Sequence, residues 1–222
     1  MPRRSNLVLL CVLAVAGTGC GDNEPQQPQF PPISQVRASA DGVTETIEGF
    51  VTVQPGAFVS ALGDEGFALQ DSSGSGIYVK VTQKLDFGLG AKVRVTGTLA
   101  NQNKLRILES EPASVQKLEG TQQVSPKVVG TGTVNESVEG SLIKVSGNIT
   151  QTFQDDSPYG YKLYINDGSG ELQVFVHVSA GFSKDALTSL VAGQRITVTG
   201  LAAQYEDIYE VAPRQPSDLT TN

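Results

Sequence analysis

Along most of this chain apolar and polar residues alternate one by one in short runs, each bounded by Gly, Ser, Asp or Pro. A period of two puts every second side chain on the same face of an extended backbone, so each run predicts a strand with one buried face. The first runs are Thr46 to Val53 (TIEGFVTV), Gly66 to Asp71 (GFALQD) and Ile77 to Val81 (IYVKV), the last two joined by a Gly/Ser turn. A connector, QKLDFGLG, leads to Ala91 to Leu99 (AKVRVTGTL) and Lys104 to Leu108 (KLRIL). The same order then recurs in Leu142 to Thr150 (LIKVSGNIT), Tyr161 to Asp167 (YKLYIND), a GSG turn and Leu172 to Val176 (LQVFV). Ser183 to Leu190 (SKDALTSL), Gln194 to Leu201 (QRITVTGL) and Asp207 to Val211 (DIYEV) complete it.

The recurrence is an internal repeat. Gly90 to Gly97 (GAKVRVTG) echoes Gly193 to Gly200 (GQRITVTG), and the turn opened by Asp71 echoes the one opened by Asp167. Each unit reads as three strands, a connector and two more strands. In the second unit the connector predicts a short helix, with Ser183 as its cap, Asp185 in its first turn, and Ala186, Leu187 and Leu190 at helical spacing. In the first unit LDFGLG is too rich in glycine for more than a turn. This order is that of the OB-fold, a five-stranded, partly open barrel; a pair of small β-sandwiches is the competing arrangement. The fold expectation is therefore all-β, with two tandem five-stranded OB-fold-like barrels over 36–112 and 128–219 and a linker over 113–127. Gly49, Gly97, Gly147 and Gly200 are expected where curved strands bend.

Composition agrees with strands, since Val, Ile, Thr, Phe and Tyr dominate the apolar runs. The amino terminus adds a different signal. Arg3 and Arg4 precede an unbroken apolar run, Leu7 to Ala16 (LVLLCVLAVA). About 10 apolar residues are too few to cross a ~30 Å hydrocarbon core, which takes roughly 20, but they suit the core of a cleaved export signal. Gly17, Thr18 and Gly19 before Cys20 resemble the bacterial lipobox, although Gly17 stands where leucine is usual. The resemblance implies a lipoprotein signal peptide over 1–19 and acylation of Cys20, such as by palmitate. Cys11 lies within the signal, so the mature chain would keep no thiol for a disulfide, a redox pair or a thiolate metal site. Two or more acyl chains anchor a protein stably to a membrane. Residues 20–35 then form the lipidated cysteine and a Pro/Gln-rich tether with too little apolar surface to fold. Gly21 follows Cys20 where an aspartate would resemble the inner-membrane retention signal. The expected location is the cell envelope, on the outer membrane if the cell has two, facing the periplasm or the outside.

Several stretches resemble bacterial extracellular OB-fold modules, some of which accompany secreted nuclease domains. They are IEGFVTVQPGAF, GFALQDSSGSGIYV and GAKVRVTGTL in the first unit, and VEGSLIKVSGNIT, YINDGSGELQVFV, GQRITVTG and YEDIYEVAPRQPSDL in the second. The resemblance implies a binding module and raises single-stranded nucleic acid as its ligand. The net charge of −7 disfavours that ligand, because binding to phosphate backbones draws on cationic surface.

Groups for catalysis are sparse. His177 is the only histidine, no serine lies in a G-x-S-x-G elbow, and there is no P-loop or H-E-x-x-H. Asp71, Asp167, Asp155 and Asp156 could supply oxygens to calcium, but Asp before Gly or Ser is ordinary turn chemistry. No catalytic residue, cofactor or metal is predicted. OB-folds bind ligands on the face of the second and third strands and on the loops beside it. The candidate ligand residues are Tyr78, Lys80, Arg94, Tyr164, His177 and Tyr205, with Arg106, Phe175 and Tyr209 nearby; Phe67 and Tyr161 are expected inside the barrels. The expected function is a non-catalytic envelope lipoprotein whose paired modules bind a ligand or an envelope protein. The alternative is a single-stranded DNA-binding accessory of an extracellular nuclease system.

Overall fold

A computed structural model describes residues 29–221. The expected signal peptide, Cys20 and most of the expected tether lie outside the described residues. The tether's expected end does not: Ile33–Arg37 form a short helix, α1, with Ile33 and Val36 buried. Their spacing of three puts both apolar side chains on one face, and that face packs into the first core. Pro32 precedes the helix and offers no side-chain cap. The Ile33 amide instead donates to Asp71 Oδ2 at 2.6 Å.

The first unit comprises β1 (Thr44–Val53), β2 (Phe67–Gln70), β3 (Gly76–Lys80), β4 (Ala91–Gln102) and β5 (Leu105–Glu109). They pair in the order β1-β2-β3-β5-β4, and β4 pairs again with β1, so the ladder closes on itself. All pairs are antiparallel except β3 with β5. The expected linker contributes to both sheets. β6 (Val115–Thr121) pairs with β4, and β7 (Lys127–Val128) pairs with the first strand of the second unit.

The second unit repeats the circuit with β8 (Leu142–Asp156), β9 (Gly160–Asn166), β10 (Glu171–His177), β11 (Arg195–Tyr205) and β12 (Ile208–Ala212). A five-residue helix, α2 (Lys184–Thr188), lies between β10 and β11 as expected. Ser183 holds the cap position, but its side chain makes no capping bond. β13 (Leu219–Thr221) pairs with β11, as β6 pairs with β4. The described residues thus form an all-β structure of a six-stranded and a seven-stranded sheet.

The registers match residue by residue. Val95 faces Ile47 and Val115, and Val198 faces Val145 and Leu219. Both units also carry a register shift at the same step, between Val51 and Val53 and between Ile149 and Gln151. A Cβ on Gly97 would lie 2.5 Å from Glu109 O, and one on Gly200 would lie 2.3 Å from Ala212 O. The shared Thr-Gly thus serves the close approach of a crossing strand.

Alternation fills each circuit with the buried face of its strands. Ile47, Phe67, Leu69, Ile77, Val93 and Val95 form the first core, and Val145, Leu163, Ile165, Val174, Ile196 and Val198 form the second. A third apolar cluster lies between the units. Val53, Phe58, Ala68, Tyr78, Leu105 and Ile107 of the first meet Leu201, Ala203 and Ala212 of the second. Arg37 on α1 pairs with Glu139 at 3.0 Å, and the amide of Arg106 donates to the same carboxylate at 3.0 Å. Lys104 and Asp207 pair across the seam at 2.5 Å. The two units are therefore packed together by their own side chains.

Candidate functional site

Beside the apolar seam the units enclose a cleft of about 970 Å³. Its wall in the first unit is the loop of residues 58–63 together with Gln102, Asn103 and Leu105. Asp64 fixes that loop. Its carboxylate accepts from the Ser60 amide at 2.9 Å, the Ser60 hydroxyl at 2.8 Å and the Gly66 amide at 2.8 Å. The Tyr78 hydroxyl lies 2.7 Å from the same carboxylate and 3.0 Å from Phe58 O. Burial, reinforced by the Asp64 charge, pushes the Tyr78 phenol well above its ordinary range, so it remains a donor.

The floor comes from the second unit, on the face of β9, β10 and β12. The matched registers give each floor residue a counterpart in the first unit: Tyr164 corresponds to Ala68, Gln173 to Tyr78 and Glu210 to Ile107. In the first unit this row is fully buried in the seam. In the second it is polar and lines the cleft. The Tyr164 hydroxyl donates to Gln173 Oε1 at 2.9 Å, and Gln173 Nε2 donates to Glu210 Oε2 at 2.6 Å. Burial pushes the Glu210 carboxyl up to about 7, against the opposing pull of the Gln173 bond and the Lys162 charge. Lys162, the one Lys or Arg among the described residues lining this cleft, is paired with Asp156 at 2.8 Å.

The rim is apolar. Leu62, Tyr159, Val178, Tyr205 and Ile208 line the cleft, and they are five of the eight exposed large hydrophobic residues among the described residues. Scattered exposed apolar side chains are ordinary, but a cluster around one concave site marks a contact surface.

Of the residues singled out from the sequence, Tyr164, Phe175, His177 and Tyr205 converge on this cleft. His177 is buried, which pulls its imidazole below the ordinary range, and its Nδ1 lies 2.5 Å from the Ser179 hydroxyl. Tyr78, Lys80 and Arg94 do not join them. Tyr78 is 0% exposed, because the face expected to meet a ligand is covered by the second unit. Lys80 is held by Glu109 at 3.1 Å and Gln102 at 3.2 Å. Arg94 bonds Glu48 at 2.6 and 2.8 Å and lies 4.8 Å from the Phe30 ring centroid, away from the cleft lining. Phe67 is buried in the first core, and Tyr161 packs against the second. Arg106 is mostly buried against Asp41 and Ser39 O.

The turn aspartates do more than close hairpins. Asp71 accepts from the Ser73 amide at 2.9 Å and from the Ile33 amide that leads into the first unit. Asp167 accepts from the Ser169 amide at 2.9 Å and from Thr131, at the entry to the second, at 2.8 Å from its hydroxyl and 3.2 Å from its amide. Bonds from Ser169 and Thr131 hold the Asp167 carboxyl far below the usual range. Among the described residues no group of three His, Cys, Asp or Glu side chains is placed to hold a metal ion.

No protein-family model matches the sequence, and no curated protein does. Solved structures show distant likeness. The S. pombe Stn1–Ten1 complex is 23% identical with a TM-score of 0.31, over 36% of this chain and 57% of that one. An OBody bound to hen egg-white lysozyme is 18% identical with a TM-score of 0.34, over 45% of this chain and 98% of that one. The Ifi202 HINa domain in complex with 20 bp dsDNA is 12% identical with a TM-score of 0.40, over 82% of this chain and 97% of that one.

Proposed function

We propose that this chain is a non-catalytic binding protein of the cell envelope that docks a protein partner in the cleft between its two units. Each closed circuit is taken as an OB-type barrel, whose strand order it shares. Export and anchoring at Cys20 are supported by the apolar run and the small residues before that cysteine. The observation that carries the docking site is the apolar rim of Leu62, Tyr159, Val178, Tyr205 and Ile208 around the Tyr164–Gln173–Glu210 row. Aromatic and aliphatic contact around a few placed polar groups is the composition of a recognition core. Crosslinking in intact cells tests this reading. Wild type should retain a defined protein partner, and the Tyr205→Ala/Ile208→Ala variant should lose it; equal recovery from both would remove the cleft from the account.

A second reading, single-stranded nucleic acid, draws on exposed Tyr159 and Tyr205, which could stack bases. Among the described residues the cleft lining offers it no unpaired cation, since Lys162 is bound to Asp156. It predicts oligonucleotide binding that weakens steeply with salt, whereas the protein-partner reading predicts no retention at low salt.

A further inference from the structure

Glu210 is a buried carboxyl without an ion pair among the described residues. It is 3% exposed, its Oε2 accepts from Gln173 Nε2 at 2.6 Å, and none of the ion pairs among the described residues includes it. The charged and titratable groups that face it are few. Lys162 on β9 is committed to Asp156 on β8, Tyr164 on β9 bonds Gln173, and burial pulls the His177 imidazole on β10 below its ordinary range. Ala203, its partner on β11, brings no charge, and the first-unit side of the cleft brings none. Packing does not require a carboxyl at this position, since Ile107 fills the corresponding place in the first unit. A buried, unpaired acid is unfavourable unless a partner arrives. Tyr159, Tyr164, Phe175 and Tyr205 line the same cleft, and aromatic rings attract cations.

We infer that the cleft recognises a lysine or arginine side chain of the partner, which pairs with Glu210 while flanking apolar residues of the same segment rest on Leu62, Val178 and Ile208. This rests on the protein-partner reading above and adds the chemistry of the anchor. Pairing needs the carboxylate, and burial holds the free carboxyl up to about 7. At pH 6 binding must therefore displace a proton from Glu210; at pH 8 it need not. Affinity for a cationic segment should rise about tenfold between those values, because a lysine amine stays charged throughout.

The test is selection from a randomised heptapeptide display library on purified protein, with Tyr205→Ala as counter-selection. Wild type should enrich peptides carrying Lys or Arg between apolar residues. Replacing that cation by norleucine should weaken binding at least ~10-fold, equivalent to about 1.4 kcal/mol. The tenfold pH effect should vanish with the norleucine peptide and with Glu210→Gln; if that variant fails to fold, the norleucine comparison on wild type decides alone. Enrichment of peptides without a cation, lost on Tyr205→Ala, would overturn this inference and leave the docking site standing. No enrichment over Tyr205→Ala would overturn both.

Discussion

Ile107 and Glu210 hold the same position in two copies of one strand circuit: Ile107 pairs with Tyr78 across parallel strands, and Glu210 pairs with Gln173 across the matching strands. The first is 0% exposed in the seam between the units, and the second lines the cleft. One face therefore has two fates. In the first unit it is an internal contact, lined by Ala68, Tyr78 and Ile107; in the second it carries hydrogen-bonding groups that line the cleft.

Placing the second unit's chemistry in the first should break the seam. Ile107→Glu would put a carboxyl into the apolar cluster that holds Phe58, Tyr78 and Leu201. Isolated buried charges destabilise by about 3–5 kcal/mol. Urea denaturation should show a loss of that size, and small-angle scattering should show the two units separating. A loss below about 1 kcal/mol would mean that the seam opens freely in solution.

Tyr78→Phe removes the hydroxyl that meets Asp64 and Phe58 O without changing the ring. The expected loss is roughly 1–3 kcal/mol, because Asp64 is left with a missing donor in a buried setting. Amide exchange should speed up over residues 58–66 and not in the β8–β11 ladder. Uniform acceleration would show that the hydroxyl supports the whole fold rather than this loop.

The Glu210 carboxyl is raised above its unfolded value, so the sign of its contribution is opposite to that of a salt-bridged acid. Its stabilising share is complete below the unfolded value near 4.5 and declines as pH rises toward and through the folded value of about 7. The difference amounts to about 3 kcal/mol at most. Glu210→Gln removes this dependence, so the gap between variant and wild type should move in the variant's favour from pH 4 to pH 8. A gap constant with pH would place the carboxyl in water.

Asp71→Ala and Asp167→Ala should act locally and in parallel. The first frees the Ile33 amide and the second frees Thr131, so exchange should rise at the entry to each unit in turn. Binding of divalent cations by isothermal calorimetry should be the same in both variants as in wild type. Loss of a saturable heat in either would make that turn a metal site.

Period-two alternation and the repeated Val-Thr-Gly at 95–97 and 198–200 make the strand order readable from sequence, because those features reflect burial and strand crossing within one unit. The extra strands β6 and β13 were hidden by their composition. In β6 just Val115 and Leu118 are half-buried and the rest is exposed, so the run QKLEG has no buried face to announce it. Helix α1 escaped because its two anchors follow a Pro-rich stretch that resembles a tether. The site was half legible. Tyr164 and His177 follow from the expected ligand face of the second unit and Tyr205 from its far end, whereas Tyr78 lies elsewhere because period-two logic cannot see one unit covering another. Glu210 carried a usable signal: aligning KLRIL with DIYEV sets an acid against an isoleucine in otherwise matched strands.

The central claim is that the cleft is the surface that meets a partner. Its most direct measurement is photocrosslinking in living cells, with a benzoylphenylalanine placed in turn at Leu62, Tyr205 and, as a control equally apolar and exposed but outside the cleft lining, Val128. The account predicts one protein adduct common to the positions of Leu62 and Tyr205 and absent from that of Val128. The same adduct from all three positions, or none from the cleft, would contradict it.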